Sequence, residues 1–203
     1  EADIMLYPEN EEQLTEILSL ARAESIPAFI LGKGSNLLVS DKGIEGAVIS
    51  TTAMQNITLI GDTEIKAEAG ASLAALCRFA RDNGLGGLEF AFGIPGTVGG
   101  ALYMNAGAYG GDMSMVVKSA ESINGDNQLI SRNVGEMALG YRKSVYDENN
   151  EVITSVVFSL KKGDKTEIGE AMDGFMTKRK NSQPLDFPSA GSTFKRPEGY
   201  FAA

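Results

Sequence analysis

Histidine is absent from all 203 residues, which removes the commonest acid–base side chain, the commonest metal ligand and every serine–histidine arrangement. Any chemistry must use other groups, and no metal site is expected. Cysteine is nearly absent. The single Cys77 forbids an internal disulfide, fits a reducing compartment and reads as a packing residue on a helix. No run of about 18 apolar residues occurs, and Glu1-Ala2-Asp3 carries neither a basic nor a hydrophobic region, so no membrane partner is expected and a cytoplasmic location is. A basic surplus is lacking too: 18 lysines plus arginines face 27 aspartates plus glutamates, a net charge of −9. That argues against a nucleic-acid partner, because a phosphate backbone needs a basic surface. The deficit is uneven. Residues 1–141 hold 8 basic and 18 acidic side chains, whereas residues 142–203 hold 10 and 9, so a small anion finds the later part friendlier unless those lysines only solvate a surface. There is no repeat, low-complexity tract or long linker. A start at Glu1 rather than Met, and an abrupt stop at Ala203, suggest truncation at both ends.

Glycine is plentiful. Ten of the 24 fall between Gly84 and Gly111, a density favoured where the chain needs positive φ or where a ligand lies against bare backbone. The centre reads Gly93-Ile94-Pro95-Gly96-Thr97-Val98-Gly99-Gly100-Ala101, followed by Met104-Asn105-Ala106-Gly107-Ala108. Pro95-Gly96 makes a turn, Thr97 can cap a short helix, and the N–H groups at that helix start offer an anion site. Interleaved Leu88, Phe90, Phe92, Ile94, Val98 and Leu102 mark a buried loop rather than a linker.

Elsewhere, capping signals at Asn10 and Gln13 with Leu14, Ile17, Leu18 and Ala21 on one face predict a helix over about 10–24. A strand over 26–31 runs into Gly32-Lys33-Gly34-Ser35-Asn36. A dinucleotide-fold fingerprint fails there, since Leu37 stands where its third glycine belongs and 37–39 reads as a strand. The N–H groups of Gly34, Ser35 and Asn36 make either a pyrophosphate nest or a plain tight turn. Short strands are predicted over 46–50, 56–60 and 64–69, and a helix capped by Ser72 that ends at Asn83-Gly84. A hairpin is expected about Asn124-Gly125, with the longest strand over 152–160. A last helix over 166–180 should turn Ile168, Met172, Phe175 and Arg179 to one side. The fold class is α+β with short strands. Arg142, in Gly140-Tyr141-Arg142, and Ser192, in Ala190-Gly191-Ser192-Thr193-Phe194-Lys195, are read locally as either functional groups or an ion-pair partner and a turn hydroxyl.

Taken in order, these five motifs resemble those of the UDP-N-acetylenolpyruvoylglucosamine reductases, over essentially Pro8 to Ala203. The resemblance implies a two-subdomain FAD-binding fold like that of vanillyl-alcohol oxidase, with residues 1–55 and 56–183 as the subdomains and 184–203 as the start of a substrate-binding domain. It implies FAD as cofactor, NADPH as co-substrate, and reduction of the enolpyruvyl ether of a UDP-sugar in cell-wall peptidoglycan synthesis. Gly32, Lys33, Gly34, Ser35 and Asn36 would bind the cofactor, together with Gly93, Ile94, Pro95, Gly96, Thr97, Gly99, Gly100, Ala101, Asn105, Ala106, Gly107 and Ala108. Tyr141, Arg142 and Lys195 would hold substrate. Arg142 matches the guanidinium that stabilises charge on the substrate carboxylate, and Ser192 the proton donor. The short span between those two resembles the subgroup without an inserted tyrosine loop. Lys33 departs from the family's usual glycine, and the family's catalytic glutamate would lie beyond Ala203. Two other readings are another FAD-linked oxidoreductase of this superfold and a flavin-binding module without turnover. Ser192-Thr193-Phe194-Lys195 also matches the Ser-x-x-Lys of penicillin-recognising enzymes, but no Lys-Thr-Gly accompanies it.

Overall fold

The structure, a computed structural model, describes residues 1–183 together with Asp186, Phe194, Lys195 and Pro197. It opens with β1 (Ala2–Leu6), α1 (Glu11–Ala23), β2 (Ala28–Leu31) and β3 (Ile44–Ser50). The strands form a parallel sheet in the order β1-β3-β2. Helix α1 starts where the side chain of Asn10 accepts the Gln13 N–H at 2.9 Å and Gln13 accepts the Glu9 N–H at 2.8 Å, so two end donors that the helix itself cannot satisfy are paired. Its buried Leu14 and Leu18 pack on Ile49 of β3, flanked by Leu6 and Ile30. Strand β1 had no clear sequence signal. It holds through pairing with β3 and through the Asp3 carboxylate, which accepts the Gly46 N–H at 2.8 Å from 43 residues away. No strand forms at 37–39, where none of the described residues pairs with it; Leu38 stands 96% exposed.

The rest of the described chain continues through β4 (Ile57–Leu59), β5 (Glu64–Glu68), α2 (Leu73–Asp82), β6 (Leu85–Gly86), α3 (Val98–Tyr103), β7 (Gly107–Ala108) and β8 (Gly111–Asp112). Then come β9 (Val117–Ile123), β10 (Leu129–Asn133), α4 (Tyr146–Asn149), β11 (Val152–Ser159), β12 (Lys161–Lys162) and α5 (Lys165–Ser182). Five of these strands make an antiparallel sheet ordered β10-β9-β11-β5-β4. Strand β5 alternates, with Ile65 and Ala67 fully buried and Glu64, Lys66 and Glu68 turned away, the pattern of a sheet covered on one face. Central β11 is buried along nearly its whole length. On the covered face, α2 contributes Leu73, Leu76, Cys77 and Ala80, α3 contributes Val98, Ala101 and Leu102, and α5 contributes Ile168 and Met172 to one core. Burial, with the nearby Glu89 charge second, pushes the Cys77 thiol up to about 12, which suits a packing role and not a reactive one.

The hairpin between β9 and β10 forms around a different residue from the one expected. Asn124 pairs with Gln128, its side chain accepts the N–H groups of Asp126 and Gln128 at 2.9 Å, and Asn127 holds positive φ at 59°. The connection is a three-residue loop closed by a left-handed residue. Asn127 takes that conformation, and its side chain also accepts from Arg22 of α1.

Candidate functional site

Two glycine loops meet where the parallel sheet abuts α3. A Cβ on Gly32 would lie 2.5 Å from Oγ1 of Thr97, and one on Gly96 would lie 4.0 Å from Oγ of Ser35. Loop 32–36 therefore packs on loop 93–97 with only the small Thr97 and Ser35 side chains between them. A third segment locks the pair: a Cβ on Gly70 would overlap the Thr51 carbonyl oxygen, so Gly70 lets the chain cross directly over residue 51. Gly70 stands outside every sequence motif singled out above, although Ala69-Gly70-Ala71 between a strand and a capped helix signals such a crossing.

The start of α3 is not the expected anion site. Its first N–H groups are already paired: Val98 with the Ala71 carbonyl at 2.8 Å, Gly99 with the Ala69 carbonyl at 2.8 Å, and Gly100 with Oγ1 of Thr97 at 3.3 Å. The free donors lie in the other loop. Gly34 sits at φ +68°, and residues 33–36 are exposed, with no hydrogen bond from their backbone N–H groups to any described residue. Consecutive unpaired N–H groups around a left-handed glycine suit a diphosphate.

Beyond α3 the chain makes a tight β7–β8 hairpin whose tip, Tyr109-Gly110, has positive φ at both residues, 54° and 87°. Gly107 and Gly111 are there for space: a Cβ would fall 2.7 Å from the Gly111 carbonyl in one case and 2.6 Å from the Phe90 ring in the other. The unusual tip is braced by α5, where Phe175 stacks on Tyr109 at 4.8 Å between ring centroids. One turn further on, Arg179 runs beside Gly93, 3.2 Å from where a Cβ would stand. The predicted apolar face of α5 thus splits. Ile168 and Met172 enter the core, while Phe175 and Arg179 flank the glycine loop.

Arg142 sits at the tip of a two-residue turn closed by Gly140 N–H to Lys143 O at 3.0 Å and Lys143 N–H to Gly140 O at 3.3 Å. It takes φ +55°, and its guanidinium lies 5.9 Å from the Tyr141 ring centroid. The turn is pinned to the end of α3. Asn105, 6% exposed, donates from Nδ2 to the Gly140 carbonyl at 3.1 Å and accepts the Ser114 N–H at 3.0 Å. Buried Ser144 donates to the Tyr103 carbonyl at 2.7 Å, and Tyr103 OH donates to Asp147 at 2.7 Å. Partial burial and then that hydrogen bond push the Tyr103 phenol up to about 12. The structure thus brings loop 32–36, loop 93–108 and Tyr141-Arg142 onto one framework. Lys195 is exposed and Ser192 lies outside the described residues.

Unpaired backbone donors in one glycine loop, packed against a second, make a candidate site for an anionic cofactor. The FAD binding domain family matches residues 2–132. The chain is 46% identical over 200 residues to a UDP-N-acetylenolpyruvoylglucosamine reductase of Clostridium botulinum (strain Alaska E43 / Type E3), covering 98% of this chain and 66% of that protein. It is 47% identical over 201 residues to the reductase of Clostridioides difficile (strain 630), with 99% and 66% covered. A crystal structure of UDP-N-acetylenolpyruvylglucosamine reductase (MurB) from Thermus caldophilus matches with a TM-score of 0.82 at 35% identity, covering 98% of this chain and 70% of that one. The chain therefore belongs to the FAD binding domain family and to the family of the UDP-N-acetylenolpyruvoylglucosamine reductases. It spans 66% of the length of the curated relatives it matches. Its fold is the α+β FAD-binding fold and its cofactor is FAD. Among the described residues no helix is long and apolar enough to cross a membrane.

Proposed function

We propose that this chain carries the flavin-binding part of an NADPH-dependent reduction of the enolpyruvyl ether of UDP-N-acetylglucosamine, a step of peptidoglycan synthesis. The observation that carries the reading is the attachment of the Arg142 turn to the framework of the two glycine loops through Asn105 and Ser144. Residues 1–55 and 56–183 are read as the two subdomains that enclose the cofactor, and 184–203 as the beginning of a substrate domain.

Bound FAD supplies the hydride chemistry, and the protein supplies position and charge. The N–H groups of residues 33–36, with the Lys33 ammonium, would hold its diphosphate. Gly93 to Gly96 and Gly107-Ala108 would offer it bare backbone. When the double bond is reduced, negative charge gathers on the carbon next to the carboxylate. A guanidinium fixed by a rigid turn binds that charge more tightly as it develops, so it lowers the barrier more than it tightens ground-state binding. Ser192 gives the proton to this carbon, an assignment that only a strongly basic acceptor makes reasonable for a hydroxyl. Tyr141 and Lys195 are read as contacts to the UDP-sugar.

The test is spectroscopic. Carried in a protein of its relatives' full length, the FAD-loaded chain should bleach its visible flavin bands with NADPH and regain them on adding the enolpyruvyl UDP-sugar. Arg142→Lys should leave the bleaching intact and slow the recovery by about 10²- to 10³-fold, the usual loss when one charge-stabilising donor is removed. Equal slowing of both stages, or recovery unaffected by the lysine, would refute the role given to Arg142.

A further inference from the structure

We infer that Asn105, despite its place inside the glycine-rich motif, is a positioning residue that acts through Arg142 and makes no side-chain contact with the cofactor. The inference deepens the proposed function and rests on its assignment of Arg142 to the substrate carboxylate.

Each end of the Asn105 amide has a partner in the fold. Nδ2 donates to the Gly140 carbonyl at 3.1 Å, and Oδ1 accepts from the Ser114 N–H at 3.0 Å. Each partner can play only one part, a carbonyl accepting and an N–H donating, so the orientation of the amide is fixed by its neighbours. At 6% exposure the side chain lies within the protein. It projects from φ +39°, in the left-handed region that asparagine tolerates better than most residues.

The Gly140 carbonyl is the focal atom of the Arg142 turn. It takes the Asn105 amide on one side and the Lys143 N–H, at 3.3 Å, on the other. Between these anchors Arg142 keeps φ +55°, which a long side chain adopts only when its surroundings impose it. Ser144, fully buried, secures the exit of the turn through the Tyr103 carbonyl at 2.7 Å. The backbone that carries the guanidinium is therefore placed by a chain of bonds that begins two residues past the end of α3.

Asn105→Asp is the discriminating variant. It preserves the acceptor for Ser114 and the tolerance of positive φ, but sets an oxygen against the Gly140 carbonyl. Asn105→Gly is its companion, because it removes both bonds while relieving the backbone, so a folding failure in one does not end the test. Three readouts on the FAD-loaded full chain are needed: amide hydrogen exchange of the turn, FAD affinity, and the two halves of the catalytic cycle. The expected result is loss of protection at the Gly140 and Lys143 N–H groups with β9 and β11 unchanged, and unchanged FAD affinity and NADPH bleaching. Recovery with the enolpyruvyl UDP-sugar should slow by up to about 10²-fold, the scale of a small misplacement of a catalytic group.

Weakened FAD binding in Asn105→Asp would overturn the inference and return the residue to the cofactor. An unchanged exchange rate in the turn would overturn it as well. A loosened turn with normal recovery, in a protein whose Arg142→Lys variant also recovers normally, would support the tether and refute the role of Arg142.

Discussion

Two adjacent glycines of α3, identical in the sequence pattern, should respond oppositely to the same substitution. A Cβ on Gly99 would stand 2.9 Å from the Cβ of Ala69 and 3.2 Å from its carbonyl oxygen, closer than real side chains approach. Ala69 cannot withdraw cheaply, because its carbonyl holds the Gly99 N–H and its own N–H is bonded to Thr154 of β11, both at 2.8 Å. At Gly100 a Cβ would meet only Oγ1 of Thr97, at 3.4 Å, on an exposed face. Alanine gains roughly 0.5–1 kcal/mol over glycine within a helix, and that gain is common to both sites. Overpacking costs about 1–3 kcal/mol and applies at Gly99 alone. Gly100→Ala should therefore be neutral or stabilising, while Gly99→Ala should fall about 2 kcal/mol below it. For a chain of this length that separates their melting temperatures by about 4–8 °C. Thermal unfolding of both apo-variants, repeated with saturating FAD, tests this, because ligand stabilisation depends on affinity and not on the starting stability. Equal melting temperatures would refute the close-approach argument. A normal apo-stability with a lost FAD increment at Gly100 would mark that glycine as a cofactor contact.

Two further sites give expectations of the same kind. Gly125 has no positive φ, and a Cβ placed on it would meet no atom within 4 Å, so Gly125→Ala should hold or raise stability by up to about 1 kcal/mol, whereas Asn127→Ala, at φ 59°, should lower it by about 1 kcal/mol; denaturant midpoints of the two variants decide. The Glu151 carboxylate is held below its ordinary value of 4.5, first by its hydrogen bonds with Arg132 and then by Ser122, with burial opposing. A carboxyl depressed in the folded state makes the unfolded chain bind more protons, so its contribution is complete above about 4.5 and is lost as pH falls toward the folded value. Glu151→Gln should cost about 3 kcal/mol at neutral pH, and the gap from the parent should narrow in urea titrations below pH 4.5; a gap independent of pH would remove the ion pair as its cause.

Elements whose signal is local were legible in the sequence, and those made by distant pairing were not. Helix α1 announced itself through Asn10, Gln13 and the Leu14–Leu18 spacing, and α2 through Ser72, because a cap and a periodic face lie within a few residues of each other. Strand β1 did not, since its partner β3 begins at residue 44 and only the fold supplies it. The apolar run 37–39 misled for the reciprocal reason: its composition suits a strand, but none of the described residues offers it a ladder. The α5 pattern grouped Phe175 and Arg179 with the core residues, since a helical stripe gives direction and not the identity of what it meets.

The site repeats this division at the level of single glycines. Density alone left two roles open for the whole stretch, positive φ or bare backbone against a ligand. The geometry assigns several roles: Gly99 and Gly70 permit close crossings of the protein's own backbone, Gly107 and Gly111 fit a hairpin against Phe90, and Gly110 and Gly34 hold positive φ. Unpaired donors suited to an anion lie in the exposed 33–36 loop, not at the start of α3, where Ala69, Ala71 and Thr97 already occupy the N–H groups. A backbone N–H has one hydrogen to give, so a motif donor engaged by the fold cannot also serve the ligand. By that count the N–H groups of Val98, Gly99 and Gly100 build the site, and those of residues 33–36 are left for what enters it. A glycine-rich fingerprint is thus best read donor by donor, and the donors left over locate the ligand.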